Sequence, residues 1–167
     1  MRPRRIQGFT LIELMITVSI MLVLFGLTLA SYTSYSDKQR IRQTSVTLKA
    51  DLHLARTNAM SGKKPITCTG LQEVFEGYKV TFYVTSYSIV PQCRTGNDVI
   101  DKTEEKVDVF FPSGVTLTMT GHSLPFSYTY YPLTKGTSLT ANWGFVFHGV
   151  TTISFTIDKE SGEVNLP

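Results

Sequence analysis

The 167-residue chain contains no GxxxxGKS/T or GxGxxG phosphate loop, no GxSxG nucleophile elbow and no HExxH zinc motif. Its three histidines are scattered. His53 falls on a helical stretch off its apolar stripe. His122 follows a glycine in a turn. His148 ends a strand, where a hydrogen bond is expected rather than a metal. With only two cysteines, a zinc site lacks ligands. The carboxylate pair Glu104-Glu105 sits in a charged loop, Asp98 to Asp108, read as a solvated face rather than acid/base machinery. No constellation for catalysis remains, so the chain is read as a non-enzyme that needs no cofactor. There is no internal repeat and no low-complexity linker.

Charge is missing in one place above all. From Phe9 to Ser36 the only formal charge is Glu13. The apolar core of that run is Phe9 to Ala30. As a helix it would be about 33 Å long, enough to cross a bilayer. A carboxylate in hydrocarbon costs on the order of 3 kcal/mol, so Glu13 needs a role. The plain one is a carboxylate near the membrane face, snorkelling to the headgroups.

Acid is also missing from the leader. Met1 to Gly8 carries Arg2, Arg4 and Arg5 and neither Asp nor Glu. Positive residues before an apolar span hold that end in the cytoplasm and export the rest. No Ala-x-Ala site closes the apolar run, as it would in a secretory signal. The expected cut lies before the run, at Gly8-Phe9, and leaves the apolar helix on the mature protein.

Gly8-Phe9-Thr10-Leu11-Ile12-Glu13-Leu14 resembles the class III signal of type IV pilins and pseudopilins. The resemblance extends from the leader to the end of the apolar run near Ala30. It implies that a membrane prepilin peptidase cuts after Gly8 and that the new N-terminal Phe9 is N-methylated. It implies a filament built with other pilin or pseudopilin subunits on an inner-membrane assembly platform. It also gives Glu13 an assembly role: the carboxylate of one subunit meets the Phe9 amine of a neighbour, a strong pairing where the dielectric is low. Where many members of the family carry a proline near the end of the apolar run, this chain has Ala30.

Removing the leader changes the balance of charge. Without its three arginines, 13 basic and 13 acidic side chains remain. Asp37 to Lys64 has seven basic and two acidic residues, a side-chain charge of +5. Ile66 to Pro167 has six basic and ten acidic residues, a charge of −4. A basic stem and an acidic head can attract each other between packed subunits; solvated faces are the plainer reading for most of these charges. Export places Cys68 and Cys93 in an oxidising compartment, where a pair is expected to bridge rather than bind metal. The bridge would close a loop of about 26 residues and add about 3 kcal/mol in the chain-entropy model.

Beyond Asp37, apolar or small residues recur at Ile41, Ser45, Leu48, Leu52, Ala55 and Ala59, one helical stripe. Gly62 followed by Lys63-Lys64-Pro65 is a stop signal. The spacing predicts one helix over 9–62, transmembrane to about 30–32, after the leader 1–8 and before a β-rich head over 63–167. In the head the period becomes two. Strands are expected at Glu76–Thr85, Tyr87–Val90, Lys106–Phe111, Val115–Met119, Phe126–Tyr131, Trp143–His148 and Thr152–Asp158, with a terminal arm at Glu163–Leu166. The predicted class is α+β, a long helix packed on an antiparallel sheet. The head length, its strand-rich layout and the ending Ile153–Asp158 then Gly162-Glu163-Val164 are similar to H-type minor pseudopilins and their pilus counterparts.

Phe126-Ser127-Tyr128-Thr129-Tyr130-Tyr131-Pro132 is the one aromatic concentration. Stacking on nucleic-acid bases would also need clustered cations, and only Lys135 is near. The segment is read as a strand with Phe126, Tyr128 and Tyr130 facing the core, which leaves DNA as a partner without support. The expectation is a single-pass inner-membrane protein with an exported head, a minor subunit of a pilus or type II secretion pseudopilus. The alternative is a membrane-tethered binding module that does not polymerise.

Overall fold

The computed structural model describes residues 9–70, 72–103, 106–133 and 136–166, the side chains of 27–31, 33 and 34 excepted. The leader with Gly8, the Glu104-Glu105 pair, Lys135 and the side chain of Ala30 lie outside the described residues. Helix α1 runs Leu11–Met60. Its end is a Schellman motif: Gly62 N–H donates to Ala59 C=O at 2.9 Å and Lys63 N–H to Asn58 C=O at 3.0 Å. Gly62 takes the left-handed φ of 63° that this closure requires.

The chain divides into two units, the first ending at Asp37 and the second beginning at Lys38. In the first unit α1 is apolar and exposed on every side from Leu11 to Phe25. Among the described residues no helix is long and apolar enough to cross a membrane.

The second unit is a helix on antiparallel sheet, in agreement with the α+β class. The stripe Ile41, Ser45, Leu48, Leu52, Ala55 and Ala59 is buried throughout. Among the described residues nine strands follow: β1 (Glu73–Phe82), β2 (Ser86–Thr95), β3 (Asp98–Asp101), β4 (Val107–Phe110), β5 (Thr116–Met119), β6 (Phe126–Tyr130), β7 (Trp143–His148), β8 (Ile153–Ile157) and β9 (Val164–Asn165). One sheet has the order β3-β2-β1-β6, with β4 also paired to β2; the other has the order β5-β7-β8-β9. Every pairing is antiparallel. Inward residues of both sheets, among them Val80, Phe82, Tyr87, Tyr130, Phe145, Phe147 and Phe155, join the stripe in one core.

The predicted charged loop Asp98 to Asp108 contains two strands instead, β3 and the start of β4. Strand β2 runs past the predicted Val90, through Pro91 to Thr95. Pro91 is tolerated because its carbonyl, which accepts from Lys102 N–H at 2.8 Å, points to the edge where β4 gives way to β3. The missing N–H falls on that same side, so no ladder bond to β1 is lost.

Candidate functional site

The N-terminal end of α1 is the candidate site. Thr10 caps it: its Oγ1 accepts from Glu13 N–H at 3.3 Å, and its carbonyl accepts from Leu14 N–H at 3.2 Å as the first helical bond. Thr10-Leu11-Ile12-Glu13 therefore has the T-x-x-E spacing of a capping box, with Glu13 in the first turn, where the helix dipole favours an anion. The assembly role expected of Glu13 thus gains a second one beside it, for which the T-x-x-E spacing was the signal. The Glu13 side chain is exposed.

Around it the surface is almost wholly apolar. Phe9 is 83% and Leu11 78% exposed, and Ile12, Leu14, Met15, Ile16, Val18 and Ile20 are exposed with them. The two nearby hydroxyls do not break the pattern. Thr17 Oγ1 donates to Leu14 C=O at 2.9 Å and Ser19 Oγ to Met15 C=O at 2.8 Å, so both turn inward onto the helix backbone. A helix apolar all round does not stay in water; lipid or other helices must cover it. Small Ser19 and Gly26 let such neighbours approach closely.

In the second unit the remaining candidates resolve into structural roles. Cys68 and Cys93 form a disulfide with Cα atoms 5.9 Å apart. Both are fully buried beside Phe75 and Tyr78, away from the main core. The bridge ties the connector after α1 to β2. His53 is exposed on α1. His122 meets Trp143 edge-on with ring centroids 4.5 Å apart. His148 Nε2 hydrogen-bonds Thr118 Oγ1 at 2.8 Å. No group of three or more His, Cys, Asp or Glu among the described residues is placed to hold a metal.

The aromatic segment faces inward, with Tyr128 and Tyr130 buried and Phe126 packed on the core. The two tyrosines form a relay: Tyr128 Oη donates to Tyr130 Oη at 2.8 Å, which donates to Gly162 C=O at 2.7 Å. Burial pushes the Tyr130 phenol up to about 12 and raises Tyr128 well above its ordinary value. Tyr87 donates to Asp51 on α1, and burial together with that carboxylate pushes its phenol up as well. These phenols stay protonated and hold elements together.

The outer face of the first sheet is laced with ion pairs: Lys79–Asp101 at 2.9 Å, Arg94–Glu76 at 2.7 Å, Lys102–Glu73 at 2.8 Å and Lys106–Asp108 at 2.9 Å. Desolvation works against ionisation of Asp101, but hydrogen bonds from Gln92 and Lys79 outweigh it and lower the carboxyl. The Lys102 hydrogen bond lowers Glu73. Hydrogen bonds from the Ser161 backbone and hydroxyl lower Asp158.

Residues 3–29 match the family model for the prokaryotic N-terminal methylation motif, the signature of type IV pilins and pseudopilins. The match spans the leader, the cap at Thr10, Glu13 and the all-round apolar turns, and supports a type IV pilin-like protein processed by prepilin peptidase. No curated protein and no solved structure matches the chain.

Proposed function

We propose that the chain is a structural subunit of a type IV pilus or a type II secretion pseudopilus. Prepilin peptidase cuts between Gly8 and Phe9, the Phe9 amine is methylated, and the subunit joins a filament through the start of α1. The observation that carries this is the apolar surface of α1, exposed on every side from Leu11 to Phe25 and interrupted by one carboxylate, within a matched processing motif. Such a surface needs lipid before assembly and neighbouring helices after it.

Glu13 fits both states. In the free subunit it lies in the first turn, where the dipole favours its charge. In the filament the amine of a neighbouring Phe9 meets it, and leaving either charge unpaired in an apolar centre is costly. The apolar run through Ala30 holds the subunit in the inner membrane as a single pass, with the second unit on the exported side and the assembly platform, other subunits and lipid as partners. The strand-rich head, similar in layout to H-type subunits, supports a minor position.

The test is the intact mass and N-terminal peptide of the full chain from cells with an active prepilin peptidase. A chain starting at methylated Phe9 is expected. A chain starting at Met1, or cut after the apolar run, overturns the reading. Glu13→Ala should leave the cut intact and lower recovery in sheared filaments about tenfold or more. Unchanged recovery would favour a tether that does not polymerise.

A further inference from the structure

Charge is segregated within the second unit. At 3.6 residues per turn Lys38, Arg42, Lys49 and Arg56 fall within about 40° of one another on one flank of α1, beside the buried stripe. No acid shares that flank; Asp51 lies on the other side, bonded to Tyr87. Four of the five acids on the strands of the first sheet, Glu73, Glu76, Asp101 and Asp108, are ion-paired, by Lys102, Arg94, Lys79 and Lys106. The β8–β9 turn differs: Asp158, Glu160 and Glu163 outnumber Lys159, and Glu160 and Glu163 are exposed.

These two patches meet at one end within a single copy. Arg56 and Glu160 line the same cleft, so the acidic turn sits beside the C-terminal end of the basic stripe. The rest of the stripe runs on through Lys49, Arg42 and Lys38 with no acid within it. From Arg56 back to Lys49 is about two turns, or about 10 Å along the helix.

We infer that the stripe receives the acidic β8–β9 turn of a second copy, lying parallel and shifted by about 10 Å along α1 toward its N-terminus. That shift places the second copy's Glu160 and Glu163 opposite Lys49, and a larger one reaches Arg42. The contact is heterologous, one patch on a different patch, so it repeats without closing and suits a filament. It rests on the filament reading above and adds which faces of successive subunits meet; a subunit present in few copies would occupy consecutive positions. Attraction between exposed patches sets register and rate more than affinity and weakens with salt.

Carbodiimide cross-linking of the full chain in membranes, with peptides identified from mixed light and heavy isotope cultures, tests the contact. The expected product joins Lys49 of one copy to Glu160 or Glu163 of another. Arg42→Glu with Lys49→Glu, or Glu160→Lys with Glu163→Lys, should lower intermolecular dimer about fivefold at low salt. Because the reversals also change which side chains can react, dimer is scored on all cross-linked species, and combining the four substitutions should restore it. Absence of dimer while methylated filaments are still recovered overturns this contact and leaves the filament reading standing. Absence of both overturns both. Cross-links from Lys49 to a different protein, or to none while the double reversal releases bound DNA, overturn the second copy as the occupant.

Discussion

At the residue scale, Gly77 shows how much a single position can decide. The register of β1 against β2 shifts between Phe75 and Gly77, and Gly77 adopts a φ of 151°. A Cβ there would run into the carbonyl of Tyr130 on β6. Gly77→Ala is therefore expected to destabilise the fold by about 2 kcal/mol or more, measured by urea unfolding of the detergent-solubilised chain. The sequence carries a hint of this, a glycine within a β pattern, but a lone glycine does not reveal what backbone lies above it. The buried stripe is fully legible, because Ile41, Ser45, Leu48, Leu52, Ala55 and Ala59 obey a period that only a helix on a core explains. The capping role of Thr10 is legible too, in the T-x-x-E spacing, but the assembly role expected of Glu13 masks it.

At the element scale, both sheets hang on polar ties that pH reaches, and the first also on one that reductant reaches. Asp101, Glu73 and Asp158 all have folded values below the ordinary carboxyl ones. A lowered carboxyl adds stability above its unfolded value, and that contribution is lost as pH falls through the folded value. The melting temperature should thus hold from neutral pH down to about 5 and fall below about 4, as these carboxylates protonate. A profile flat through that range would remove the ties from the account. Replacing both cysteines, Cys68→Ser with Cys93→Ser, should cost about 3 kcal/mol in the same unfolding assay and free the connector first, seen as faster amide exchange over 63–72. Strand β3 is not legible in the sequence, because its four residues are all exposed and two of them are aspartates. Its place comes from pairing with β2 and from the Lys79 and Gln92 contacts of Asp101, which are tertiary facts.

At the scale of the whole molecule, the boundary at Lys38 separates two kinds of chain, one needing cover and one with its own core. A chain beginning at Lys38 is expected to be monomeric and to melt cooperatively without detergent, checked by light scattering and calorimetry; aggregation or a non-cooperative melt would mean that the second unit depends on the first. The α+β architecture is legible because helix and strand periods occupy separate halves of the chain. The bilayer span rests on the composition of the run from Phe9 to Ala30. The strands at the margins of the two sheets carry a further consequence. Strands β3, β4, β5, β6 and β9 are all short, and β3 and β4 carry Asp98, Asp101 and Asp108. Among the described residues no long bare edge is offered for a foreign strand to zip onto, and charge meets any that tries. Heads can then stand crowded together for long periods without seeding amyloid.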